Sequence, residues 1–379
     1  MVGICYVGPY MDSSGYGEAT RNFLMAFKEV EANLMAQKVS YTGTSHYTTP
    51  ATHLCEEYAL KKVDYKIKIL HVTPDNYKAY IEPGKYNIGH LFWETSKLPR
   101  AWVLACNQLQ EIWTGTRYGA EVIKNSGVTV PITVIPEAVD TNDPPDVRPY
   151  VLPNFKGVVF YSIFEWTERK NPEKLLHTFW KTFKGKTDVC LLLKVHKLGT
   201  DRGLRDILLE SRGWKNSFVW KDTPRVFVYT DILGTEEMHR FHKTGDIFVS
   251  AHRGEGWGLP QCEAAMHLKP IISVGYGGIH EYFRRKDYLP VDFTLVPIDK
   301  TYNKYYEVGM EWAEADEASL SAQMQKAYDY KTSTNKVGLL AKYGYGGRDV
   351  VRDTCSYEKV GRKMLDRISQ ISLEKGWNE

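Results

Sequence analysis

The sequence predicts an α/β protein made of two doubly wound parallel-sheet domains. Short apolar runs alternate with helical patterns along most of the 379 residues, the rhythm of βαβ units. A chain of this length exceeds one ordinary hydrophobic core. A stretch rich in proline and poor in periodicity, DTNDPPDVRPYVLPNFKG (140–157), separates five strand candidates from five more, as a linker would.

The strands of the first half are VGICYV (2–7), YKIKILHV (65–72), YNIGHLF (86–92), EIWTG (111–115) and ITVIP (132–136). Helical patterns at 17–30, 97–108 and 117–126 fall between them, and the polar segment 42–53 reads as a long loop. The second half offers VVFYSIF (158–164), DVCLLLKV (188–195), RVFVYT (225–230), DIFVSA (246–251) and PIISV (270–274). Its helical patterns lie at 171–184, 202–212, 235–244, 260–268 and 316–330. The chain divides into a first domain over 1–145, a second over 146–350 and an amphipathic C-terminal helix within 351–379.

Composition narrows the function. Lys and Arg total 49 against 46 Asp and Glu, a balance too even to argue for nucleic acid or an anionic surface. The six cysteines are dispersed, without a C-x-x-C pair, which fits a reducing compartment and no zinc or redox motif. MVGICYVGPY lacks the pattern of a signal peptide, and no run is long and apolar enough to span a bilayer. A cytoplasmic location is expected, with peripheral contact between a surface helix and a membrane left open.

The most informative stretch is RGEGWGLPQCEAA (253–265), which follows the strand DIFVSA. Pro260 suits the first position of a helix, so the order is strand, glycine loop, helix. Free N–H groups at such a helix start bind anions, and Gly256 and Gly258 let a ligand approach the backbone. A carboxylate beside a phosphate would repel it. Glu255, in the loop, therefore suits a neutral polyol or a cation next to the phosphates. Glu263, one turn into the helix, can accept from vicinal hydroxyls, as acidic residues do with ribose. Ribose, phosphates and a second polyol together describe a nucleotide-sugar.

E-G-W-G-L-P-x-x-E at 255–263 resembles the E-x7-E signature of retaining glycosyltransferases of family 4, which have the GT-B fold. GYGGIHEYF (275–283), ERKNPEKLLHTFW (168–180), GYGEATRNF (15–23) and IWTGTRYGAEVI with VPITVIPEAVD (112–140) are similar to further motifs of that family. The resemblance implies two Rossmann-like domains facing a central cleft, with the C-terminal helix crossing back to the first. It implies that Glu255 contacts the transferred sugar and Glu263 the ribose. The amides of Gly256, Trp257, Gly258 and Leu259 would hold the diphosphate, and Lys170 with Arg169 would neutralise it as it leaves. Gly15 and Gly17 would approach the phosphates, His90 the sugar, and the segment from Thr230 to Leu233 the base. Glu165 stands where many members carry arginine, and Arg169 is the neighbouring replacement.

A leaving diphosphate is stabilised by preorganised cations and N–H groups. With no D-x-D near a strand end, no metal or cofactor is required on this reading. The partners are a nucleotide-sugar donor of GDP-mannose or UDP-glucose type and a glycan or glycolipid acceptor. Trp93 and Glu94 are weaker candidates for touching that acceptor. Two other classes compete. A nucleotide-dependent oxidoreductase shares the parallel sheet, but G-x-G-x-x-G is absent, because Gly15-Tyr16-Gly17 leads to Thr20. A catalytically inactive nucleotide-sugar-binding protein would keep the fold without turnover.

Overall fold

The computed structural model describes residues 2–40, 47–196, 207, 209–213, 222–300, 302, 304–334 and 337–377. They form two compact units. The first holds 1–141, 303–310 and 352–379, and the second holds 142–302 and 311–351. Each has a six-stranded sheet, and every neighbouring pair in both sheets is parallel.

In the first unit the strands are β1 (Gly3–Gly8), β2 (Leu34–Lys38), β3 (Tyr65–Leu70), β4 (Tyr86–His90), β5 (Glu111–Thr114) and β6 (Ile132–Val134). Their order is β2-β1-β3-β4-β5-β6. β1 and β4 are buried along their whole length, as strands covered on both faces must be. Tyr6, Phe23, Phe27, Ile67, Ile69 and Trp113 are fully enclosed in the core. The last helix, Tyr357–Glu374, is pinned to β5 by Arg367. Its guanidinium grips the Glu111 carboxylate twice, at 2.9 and 2.8 Å. Trp113, Thr133 and Tyr86 also donate to that carboxylate. Glu111 is wholly buried, and these donors offset the cost of placing its charge there.

In the second unit the strands are β7 (Val158–Glu165), β8 (Val189–His196), β9 (Arg225–Tyr229), β10 (Ile247–Ser250), β11 (Ile271–Val274) and β12 (Leu289–Val291). Their order is β12-β11-β10-β7-β8-β9. An antiparallel pair, β13 (Phe293–Pro297) and β14 (Glu311–Ala315), is added to this unit. Phe160, Phe179 and Phe183 form an aromatic cluster beneath the sheet.

Three features depart from the sequence reading. β2, β12, β13 and β14 were not anticipated: LMAQK and LPV are short and lack alternation. β2 forms because β1 supplies a register for it, from Ile4 against Leu34 to Gly8 against Lys38. The 42–53 loop ends early, because Thr49 and Thr52 cap each other reciprocally and Pro50 opens a helix to Leu60. Residues 42–46 of that loop lie outside the described residues. So does most of the 202–212 pattern, of which 207 and 209–212 are helical. The helix Val337–Cys355 contains YGYGG, a poor helical sequence by propensity. Gly344 serves close packing: a Cβ there would stand 2.2 Å from the Leu268 carbonyl oxygen.

Among the described residues, no helix is long and apolar enough to cross a membrane, and the six cysteines are all buried and free.

Candidate functional site

The winding of the second sheet reverses between β7 and β10. From β7 the chain steps to β8 and β9 on one side, then returns to β10 and β11 on the other. The loops that follow β7 and β10 diverge there, and such a reversal is where doubly wound sheets bind ligands. These two loops carry Arg169 and Lys170 on one side and 251–258 on the other.

Both loops are tightly set. After β7 a 3-10 turn, Glu168–Lys170, leads to Asn171 at φ 54°, and Pro172 then opens a helix to Thr182. The Arg253 N–H donates to the Arg169 carbonyl at 2.7 Å. The Arg169 guanidinium donates to the Gly254 carbonyl at 2.8 Å, so the loops are joined in both directions. The loop after β11 supports them from another side. Gly278 N–H donates to the Glu255 carbonyl at 2.8 Å, and a Cβ on Gly278 would lie 2.3 Å from the Gly256 oxygen. Gly258 caps the helix Leu259–Met266 at φ 102°, a conformation that glycine adopts without strain. Trp257 is buried against Tyr282, with ring centroids 4.7 Å apart, and the Tyr282 hydroxyl donates to the Trp257 carbonyl at 3.0 Å. The Trp257 side chain is therefore a prop for the loop.

Glu255 sits between the cations. Lys170 donates to its carboxylate, and Arg169 approaches it at 3.5 Å. Burial opposes the charge, yet Lys170 and Arg169 outweigh it and hold the carboxyl at about 2. His252, wholly buried beside them, has Nδ1 3.0 Å from the Ser250 hydroxyl. Burial pushes it down to about 4, so it is a neutral neighbour. The cluster carries two cations against one carboxylate, next to N–H groups of a helix start that have no intrahelical partner. It suits an anion with a neutral hydroxylated group beside it.

Glu263 lies one turn into the same helix, with His242 Nε2 3.5 Å from its carboxylate. Burial pushes His242 down to about 3, so this contact is with a neutral imidazole. Glu263 therefore keeps acceptor capacity for hydroxyls. Thr230 directly follows β9, and Leu233 is buried just before the helix Thr235–Thr244.

Gly15, Gly17 and His90 belong to the first unit. Ser14 caps the helix Gly15–Glu29 by accepting from Gly17 N–H at 3.2 Å. Glycine is required at 17, where a Cβ would meet the Asp12 carbonyl at 2.0 Å, whereas nothing lies within 4 Å at 15. His90 is wholly enclosed at the end of β4, with Phe23 at 4.4 Å and Trp113 at 5.9 Å. Trp93 packs on Trp102 and is 3% exposed, which makes it a core residue.

The sequence reading passed over three residues. Glu314, in β14, takes Arg253 at 2.8 Å and Lys174 at 3.1 Å and braces the loop after β10. Gln261 is 1% exposed, and among the described residues neither end of its amide has a hydrogen-bond partner. His71 follows β3 as His90 closes β4. The shared signal was a histidine ending an apolar run.

No protein-family model matches the chain, and no curated protein matches it in sequence. Solved structures do share its architecture. HepE from Anabaena, in complex with UDP-glucose, aligns over 98% of this chain and 100% of its own, with a TM-score of 0.68 and 10% identity. Sucrose-phosphate synthase from Thermosynechococcus elongatus aligns over 99% and 100%, with a TM-score of 0.66 and 11% identity. A glycosyltransferase from Rickettsia africae aligns over 98% of both chains, with a TM-score of 0.65 and 13% identity. The chain thus has the two-domain GT-B fold.

Proposed function

We propose that the protein is a retaining, metal-independent glycosyltransferase of the family 4 type. It moves a hexose from a nucleoside-diphosphate sugar to a glycan or glycolipid acceptor. The observation that carries this reading is the buried Lys170–Glu255–Arg169 cluster at the reversal point of the second sheet. The GT-B likeness supports it, because HepE binds UDP-glucose and TarM from S. aureus binds UDP. Those neighbours favour UDP over GDP as the base to test first.

The chemistry follows from the charges. Lys170, Arg169 and the amides of 256–259 accept the negative charge that grows on the departing diphosphate. Glu255 accepts from hydroxyls of the transferred sugar and holds it beside those cations. Glu263 accepts from the ribose. In a retaining front-face reaction, the leaving phosphate oxygen takes the acceptor hydroxyl proton on the face where the new bond forms.

The test is donor turnover without added metal. Release of UDP from UDP-glucose, with the α-anomer of the product seen by proton NMR, is expected. Glu255→Gln should lower kcat by about a hundredfold or more while UDP still binds. Undiminished turnover in that variant, or the β-anomer as first product, contradicts the assignment.

A further inference from the structure

The second unit holds a cavity that no sequence motif assigned. Its volume is about 670 Å³, and it is formed by the segment before β7, the turn before β8 and the start of β9. These are the N-terminal ends of the strands. The loops that carry Lys170 and Glu255 follow the C-terminal ends of β7 and β10. The 8 residues of β7, at about 3.3 Å each, set the two ends roughly 26 Å apart. The cavity is therefore separate from those loops. Small-molecule sites usually measure about 300–1,000 Å³, and this one falls within that range.

Its charge is one-sided. Lys156, Lys186 and Arg225 line it, and among the described residues no carboxylate does. Two of these cations are held in place by neutral groups. The Arg225 guanidinium donates to the Pro153 and Asn154 carbonyls at 3.2 and 2.8 Å, which ties the segment before β7 to β9. Lys186 donates to the Tyr328 hydroxyl oxygen at 3.4 Å and lies 4.5 Å from the centre of that ring. The same hydroxyl donates to Asp188 at 2.6 Å, so that carboxylate, outside the lining, is engaged by the helix Glu317–Thr332. Lys156 is exposed and makes neither an ion pair nor a hydrogen bond among the described residues. Arg225 and Lys186 keep further N–H donors beyond those already used. Like charges gathered in this way repel one another, and a bound anion relieves that cost.

The rest of the wall is not charged. Phe155 is a half-buried ring packed edge-on against Phe227, with centroids 6.2 Å apart, and Pro224 adds apolar surface beside it. Such a wall suits the C–H face of a sugar. Thr223 lines the cavity too, and its hydroxyl has no hydrogen-bond partner among the described residues, which leaves a donor for a ligand hydroxyl. A bare oxyanion would use the cations and leave these groups idle. We propose that this cavity is an accessory carbohydrate site for an anionic saccharide unit. Lys156, Lys186 and Arg225 hold its carboxylate or phosphate, and Phe155 with Pro224 meets its C–H face. The concave shape favours a soluble sugar over a flat anionic membrane surface. This inference is independent of the nucleotide chemistry at the Lys170–Glu255 loop.

Saturation-transfer NMR of the full chain tests it, with excess UDP present so that the proposed nucleotide site is filled. Glucuronate or glucose 6-phosphate should receive saturation, and glucose should not. Inorganic phosphate should displace the sugar only at a concentration at least about tenfold higher. Lys156→Gln combined with Lys186→Gln keeps a donor for Tyr328, so it should leave Tm unchanged and weaken binding at least about tenfold. Phe155→Leu, which keeps an apolar contact with Phe227, should weaken binding about threefold or more. Equal binding of glucose, equal displacement by inorganic phosphate, or parental affinity in the double variant overturns the proposal. So does an absence of binding by both anionic sugars. Capture of phosphatidylglycerol vesicles in place of the sugars assigns the cations to a membrane surface and overturns it too. UDP affinity, read separately by calorimetry, should stay within about twofold in both variants. A larger loss would place the sugar at the nucleotide site and contradict a separate cavity.

Discussion

Lys170 donates to the Glu255 carboxylate at a site where the two side chains are 11% and 10% exposed. The pair is therefore nearly dry, and its members are not interchangeable with surface charges. Removing one partner from a buried pair leaves the other uncompensated, which typically costs about 3–5 kcal/mol. Lys170→Met should destabilise the second unit by roughly 3 kcal/mol. The additional change Glu255→Gln should recover much of that loss. Urea denaturation of both single variants and the double variant measures the coupling. Additive losses would show that the two groups do not act as a pair.

Acidification should expose the same pair. The folded carboxyl of Glu255 sits at about 2, below its ordinary 4.5. Its contribution is complete above the unfolded value and is lost as pH falls through the folded one. Stability should therefore decline between about pH 5 and 2, by on the order of 3 kcal/mol for this group. In Glu255→Gln that part of the pH dependence should vanish, as read by chemical denaturation at stepped pH.

Buried histidines add a second acid-sensitive range. Burial pushes His71 and His242 down to about 3 and His252 to about 4. Each binds its proton less readily folded than unfolded. Their contribution is present above about 6.5 and is lost as pH falls toward the folded values, so the unfolded chain gains protons and stability rises with pH there. Calorimetry should show Tm decreasing from pH 7 to pH 5. A flat Tm across that interval would contradict the burial of neutral imidazoles.

Gly361 should resist substitution. In the last helix a Cβ at this position would stand 2.3 Å from the Ala26 carbonyl oxygen, within the helix Gly15–Glu29. Gly361→Ala must push the two helices apart, at a cost of about 1–3 kcal/mol, against a propensity gain of at most about 1 kcal/mol. Gly338→Ala is the control, because nothing lies within 4 Å of its Cβ. It should leave Tm unchanged or raise it by a few degrees, whereas Gly361→Ala should lower it.

Ten of the twelve parallel strands were legible because they are apolar runs separated by helical patterns. The order of strand, glycine loop and helix around Glu255, Gly258 and Pro260 was legible because its chemistry is local. What stayed hidden is non-local. β2 exists through its register with β1, and β13 and β14 through each other. The helix carrying Gly344 is not legible in the sequence, and that glycine's purpose shows only in its approach to the Leu268 carbonyl. Glu314 braces Arg253 from 61 positions away. His71 meets Tyr6 across 65 positions, with the Tyr6 oxygen 3.0 Å from its Nδ1.

Isothermal calorimetry of UDP, GDP, ADP, TDP and CMP against the full chain, without metal, addresses the central claim most directly. The account predicts that one nucleoside diphosphate binds, that CMP does not, and that Lys170→Met weakens the binding by about tenfold or more. Absence of binding by every nucleotide, or binding unchanged in Lys170→Met, would contradict the placement of a donor site at the Lys170–Glu255 loop.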